Sequence, residues 1–141
     1  MCFAEARVSF HAFDLKNQQP AVGETLVFPY IDHNEGGGYD ASTGVFTAPR
    51  AGTYLFLATL QGWGSQAGAD TVRVVLVQDG LVQQYVVTEA DRENDWESTS
   101  LQAVLRLAAG STVWLRALGN QNRFHEYTAI TFSGILVTPY F

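Results

Sequence analysis

The chain's densest set of chemically capable side chains is Glu89-Ala90-Asp91-Arg92-Glu93-Asn94-Asp95-Trp96-Glu97, a run of carboxylates ahead of a strand that begins near Leu101. Calcium is a hard cation that takes several oxygen ligands in flexible geometry, and such a loop could supply two or three of them. The run lacks the ligand spacing and turn glycine of an EF-hand, and an acidic loop serves solubility equally well. Two tryptophans sit in comparable places. Trp63 lies between Gly62 and Gly64, and Trp96 lies inside the acidic run. An exposed indole face can stack on a sugar ring or anchor a protein partner; alternatively each indole folds back as a lid over the end of a sandwich. Trp63, Trp96 and Arg92 are the candidate ligand contacts.

Other chemistry finds little support. His11, His33 and His125 show no ligand spacing, so each reads as a surface or strand histidine. No nucleophile elbow, P-loop or dinucleotide fingerprint is present. Serine, histidine and carboxylate co-occur, but a triad is defined by geometry and not by co-occurrence. No catalytic residue is assigned, and an enzyme on this scaffold is the least favoured class. Cys2 is the single cysteine, so no disulfide can form within the chain. It is either an unpaired terminal thiol or a link between chains.

A formal charge of -6 and a pI near 4.8 argue against nucleic acid as a partner, because that affinity rests on clustered Lys and Arg. Seven of the eight basic residues are arginine, scattered along the chain. No apolar stretch approaches the ~20 residues that span a bilayer, so membrane insertion is not expected. The start Met1-Cys2-Phe3-Ala4-Glu5 lacks the regions of a signal peptide.

The elements that must position these residues are strands. Short apolar runs with period two are punctuated by Gly, Asn and Asp, and no helical stripe competes with them. Strands are expected at Arg7 to Phe13, Thr25 to Phe28, Gly44 to Ala48, Gly52 to Gln61, Thr71 to Gln78, Leu81 to Val87, Leu101 to Leu107, Thr112 to Leu118 and Thr128 to Val137. This is an all-β sandwich or barrel. Asp79-Gly80 suits a type I′ hairpin turn, and Ala108 to Ser111 a slightly longer one, which predicts paired ribbons over 71 to 87 and 101 to 118. With 141 residues one domain is expected, residues 1–141, with Met1 to about Ala6 a flexible lead-in.

The composition is 47% apolar and only 16% charged, below the ~25% charged that is usual, which leaves few side chains to keep the surface in water. In the strand Gly52 to Gln61, Tyr54, Phe56, Ala58 and Leu60 alternate with Leu55 and Leu57, so both faces are largely apolar. One face fills a core, and the other is expected to meet a neighbouring subunit. Tyr54, Phe56, Leu60 and the mid-strand Trp114 are the candidate interface residues.

The spaced set Phe28, Asn34, Tyr39, Phe46, Gly52, Tyr54 and Phe56 resembles the defining pattern of the C1q globular-head domain, in the C1q and tumour necrosis factor superfamily. Leu105-Arg106-Leu107, Gly110 and Val113-Trp114-Leu115 are similar to that family's late hairpin. Val8-Ser9-Phe10 resembles its opening strand and Phe132 to Leu136 its closing one. Ala58 departs from the pattern, which there usually has Phe or Tyr. The resemblance implies a ten-stranded jelly-roll β-sandwich in which three copies pack heterologously about a threefold axis. It also implies secretion, with any signal or stalk outside this chain. Several members of the family bind calcium through the acidic loop, and by that resemblance Glu89, Asp95 and Glu97, with Asp91 close by, are the candidate ligands.

Two functional expectations follow from the resemblance. One is a homotrimeric recognition module of innate immunity, binding carbohydrate or microbial surface ligands lectin-fashion through apical loops. The other is a signalling or extracellular scaffold ligand that binds a protein receptor.

Overall fold

The computed structural model describes residues 7–63, 70–90, 96–118 and 130–140; within them, at 63, 70–72, 86, 88–90, 96 and 97, only the backbone is described. These residues form ten strands and no helix: β1 Ser9–Phe13, β2 Tyr30–Glu35, β3 Tyr39–Asp40, β4 Val45–Thr47, β5 Gly52–Trp63, β6 Asp70–Gln78, β7 Leu81–Ala90, β8 Trp96–Leu107, β9 Thr112–Ala117 and β10 Thr131–Pro139. They make two five-stranded antiparallel sheets, ordered β2-β1-β10-β5-β8 and β3-β4-β9-β6-β7. The first and last strands, β1 and β10, are neighbours in the first sheet, so the expected jelly-roll sandwich is what the backbone forms.

Alternation along each strand sends one set of side chains between the sheets. From β5 these are Tyr54, Phe56, Ala58 and Leu60; they join Phe10, Phe46, Val74, Leu76, Leu101, Val113, Leu115 and Phe132 in one core. Aromatic rings dominate its centre: Phe10 stacks on Tyr39 at 4.7 Å between centroids and on Phe46 at 5.2 Å, while Phe132 meets Phe10 edge-on at 5.1 Å. Ala58 is buried between its strand partners Phe132 and Leu101. Burial also corrects an expectation. Tyr54, Phe56 and Leu60 are wholly enclosed by their own chain, so they cannot form a subunit interface.

Two strand expectations also change. Thr25 to Phe28 forms no named strand, only a bridge from Thr25 to Arg116, although Leu26 and Phe28 are buried. One edge of the first sheet is instead β2, whose sequence Tyr-Ile-Asp-His-Asn-Glu is mostly exposed and carries no apolar alternation to advertise it. The ribbon over 101 to 118 does not exist as a pair. Its turn is present, with Gly110 at φ 91° and Ser111 N–H donating to the Ala108 carbonyl, but β8 pairs with β5 and β9 with β4 and β6. The turn therefore carries the chain from one sheet to the other.

The ribbon over 71 to 87 is present as β6–β7, turned by Asp79 at φ 50° and Gly80 at φ 86°, the paired positive values of a type I′ turn. Asp79 does more than turn. Its carboxylate accepts from the backbone N–H and the hydroxyl of Thr112, tying the hairpin to the start of β9.

Candidate functional site

Three regions bear on function. The first is the segment that holds the sandwich closed. Asn34 donates its amide to the Tyr39 carbonyl at 2.7 Å and accepts from the Tyr39 N–H at 3.2 Å, so one side chain bridges the loop between β2 and β3. The Tyr39 hydroxyl accepts from the Phe28 N–H at 3.0 Å and donates to the Phe28 carbonyl at 3.1 Å. Both backbone groups of buried Phe28, which lies outside any named strand, are thereby satisfied. Burial pushes the Tyr39 phenol up to about 12 despite the opposing bond from Phe28. Tyr54 repeats the device by donating to the Arg50 carbonyl at 2.7 Å, and burial raises its phenol too. The Ser42 hydroxyl and N–H hold the Asp40 carboxyl below its usual range, which stabilises the turn before β4. At Gly52 a Cβ would lie 2.5 Å from Leu136 Cδ1 and 2.6 Å from the Thr138 carbonyl, so only glycine lets β5 approach β10 there.

The second region is the outward face of the first sheet. Ile135, Leu55 and Val104 form a cross-strand row on β10, β5 and β8, and Leu57 lies in the next row. Ile135 is 47% exposed, Leu57 42% and Val104 68%; the bulged Val137 beside them is 58% exposed. A depression of about 280 Å³ opens here, lined by His11, His33, Leu55, Leu57, Ser133 and Ile135. β8 closes one edge of this sheet, and β7, the edge of the other sheet, lies beside it, with Gln84 donating to the Gln102 carbonyl. On β7, Leu81, Val82, Tyr85 and Val87 are exposed. Trp114 is half-buried on the outward face of β9, opposite Val77. The outward apolar surfaces of Leu55, Leu57, Tyr85 and Val87 lie outside the candidate interface set; the two-sided apolar pattern of β5 and the charge-poor run from Leu81 to Val87 are the sequence signals for them.

The third region is one end of the sandwich. β5 ends and β8 begins there with Trp63 paired to Trp96 and Gly62 to Glu97, while Thr71 on β6 pairs with Glu89 on β7. The backbone thus brings the termini that carry Trp63, Trp96, Glu89 and Glu97 to the same end. The side chains of those four residues lie outside the described ones, as do Asp91, Arg92 and Asp95 altogether. Among the described residues no group of three or more His, Cys, Asp or Glu side chains could hold a metal.

A two-sheet jelly roll with a polar-satisfied signature segment and a bare apolar sheet face defines the class, and comparison with known proteins places the chain within it. The C1q domain model matches residues 10–137. Over 135 residues, 94% of its length, the chain is 30% identical to the collagen alpha-1(X) chain of Mus musculus, of which it spans 19%. It is 29% identical over 113 residues to complement C1q tumor necrosis factor-related protein 3 of Homo sapiens, covering 79% of this chain and 44% of that one. The globular domain of zebrafish complement 1qA protein superposes with a TM-score of 0.66 at 19% identity, over 94% of this chain and 99% of the other, and so shares the fold. The chain belongs to the C1q-domain family. It spans less than half of the length of these curated relatives.

Proposed function

We propose that this chain is the globular head of an extracellular homotrimer that recognises carbohydrate or microbial surface ligands, and that it is a binding module and not an enzyme. The observation that carries the assembly is a pair of unlike apolar surfaces on one subunit. One is the sheet face at Leu55, Leu57, Ile135 and Val104; the other is the edge strand β7 with Tyr85 and Val87. Surfaces of this kind rarely stay bare, and a long apolar edge invites association. Because the two differ, a contact between them is heterologous, and rotation must close it into a ring if it is not to run on as a filament. Membership of the C1q-domain family favours closure at three.

Closure would gather three copies of the β5/β8 end on one rigid platform. Weak contacts at Trp63, Trp96 and Arg92 then add as avidity for a repetitive surface. Glu89, Asp91, Asp95 and Glu97 offer only oxygen donors, which suits calcium, and they would hold it between the end of β7 and the start of β8. When bound, calcium would order that connection and present a cation to hydroxylated or anionic ligands.

Glycan and microbial arrays probed with the trimer, with and without chelator, test the reading. Binding that is reduced by chelator and lost in Trp63→Ala supports it, and uniformly blank arrays sink it. A single saturable protein partner with blank arrays would instead favour the receptor-ligand role. A stable monomer in sedimentation at micromolar concentration would remove the assembly itself.

A further inference from the structure

His11 on β1 and His33 on β2 are direct cross-strand partners on the outward face of the first sheet. Their rings are nearly parallel, 20° between planes, with centroids 6.5 Å apart. Each ring is held by its Nδ1 atom: His33 Nδ1 lies 3.1 Å from Asp32 Oδ2, and His11 Nδ1 lies 2.5 Å from Ser133 Oγ. A carboxylate can only accept, so Nδ1 of His33 carries the proton and its Nε2 keeps a lone pair when the ring is neutral. The Ser133 hydroxyl suits either tautomer of His11, including the one that likewise leaves Nε2 with a lone pair. Imidazole anchored at one nitrogen by a carboxylate or hydroxyl, with the other nitrogen open, is the arrangement that metal-bound histidine adopts. Both rings line the depression of about 280 Å³, so a ligand has room to enter beside them.

From this juxtaposition we infer that His11 and His33 form a two-imidazole clamp for a late first-row divalent cation of the zinc or copper class. Imidazole nitrogens are borderline ligands that favour these ions over calcium or magnesium. A tetrahedral cation bound at ~2.0–2.1 Å by each Nε2 would draw the ring centroids to about 5 Å, an approach of roughly an ångström and a half. His33 stands on the exposed edge strand, so its rotamer can supply that movement. Water fills the remaining coordination positions, which makes the site open and separate from the acidic end of the sandwich. The depression shares Leu55, Leu57 and Ile135 with the face proposed for subunit contact, whereas the clamp does not depend on carbohydrate binding.

Titration of the full chain with Zn²⁺ by calorimetry, and with Cu²⁺ by electron paramagnetic resonance, tests the clamp. The expected result is one saturable Zn²⁺ per chain and a Cu²⁺ spectrum with coupling to two imidazole nitrogens. His33→Gln and His11→Gln should each weaken Zn²⁺ binding at least tenfold, and Asp32→Asn should weaken it by up to about tenfold, the low end for an outer-shell partner. His125→Gln and Cys2→Ser should leave it unchanged. His33→Gln sits on an exposed edge, so it decides the matter even if His11→Gln fails to fold. No saturable Zn²⁺ binding below millimolar, unchanged affinity in His33→Gln, or loss of binding in His125→Gln or Cys2→Ser would each overturn the clamp.

Discussion

Phe56 and Leu57 are adjacent on β5 and belong to different worlds. Phe56 is enclosed by Phe10, Phe46, Tyr54 and Phe132, in a region where the tyrosine hydroxyls and the Asn34 amide all find partners. Leu57 faces outward beside Leu55 and Ile135, where apolar side chains meet solvent in the single chain. The inward face is finished by one chain, and the outward face is not. The contrast separates residues that build the sandwich from residues that leave an apolar surface in solvent.

The sharpest way to break this contrast is to truncate each side of β5 in turn. Phe56→Ala should cost about 3–5 kcal/mol of unfolding free energy, the usual range for an enclosed aromatic, as read by chemical denaturation. A cost below about 1 kcal/mol would mean that the inward face is not the close-packed core that its ring contacts indicate. Tyr39→Phe tests the polar side of the same region. Loss of the hydroxyl leaves the Phe28 N–H and carbonyl without a partner, at about 1–3 kcal/mol.

Tyr39 also gives a pH signature. Its phenol ordinarily titrates near 10 and is raised to about 12 in the folded chain, so the folded state holds a proton that the unfolded state releases. The stabilisation, about 2–3 kcal/mol, is fully present below pH ~10 and disappears as pH rises towards ~12. Denaturation series across that window should show a steep alkaline decline in the parent and a shallower one in Tyr39→Phe, the remainder belonging to Tyr54. Equal slopes would count against the buried phenol.

The smallest effect on a single chain is expected on the outward face. Leu57→Ser and Ile135→Ser should each change the intrinsic stability by no more than about 1 kcal/mol, since both are already more than a third exposed. Their effect should appear in sedimentation, as a shift from trimer to monomer. A variant that remains trimeric with unchanged dissociation would place the interface elsewhere, and one that unfolds would show that the outward face supports the single chain after all.

Legibility from the sequence followed how local each interaction is. The Asp79-Gly80 hairpin was readable because a tight turn is decided by two residues with positive φ. The strand β2 was not, because an exposed edge strand has no apolar face to show; its place is decided by pairing with β1. The turn at Ala108 to Ser111 is local and present, but the hairpin expected there does not form, because the partner of β8 is β5, far away in the chain. The candidate ligand end was legible as composition and became a place only when β5 and β8 paired Trp63 with Trp96.

A strand-built sandwich with the spaced aromatics, asparagine and glycine of the C1q pattern is written residue by residue, because period-two alternation and short-range turn chemistry are local. The sequence also establishes that β5 has two apolar faces. Which face is inward is settled by packing: alternation is symmetric, and the choice falls to the sheet that packs opposite. That choice places Tyr54, Phe56 and Leu60 in the core and Leu55, Leu57 and Ile135 on the outward face. It likewise set His11 beside His33, a pairing that no local spacing encodes because it depends on strand register alone.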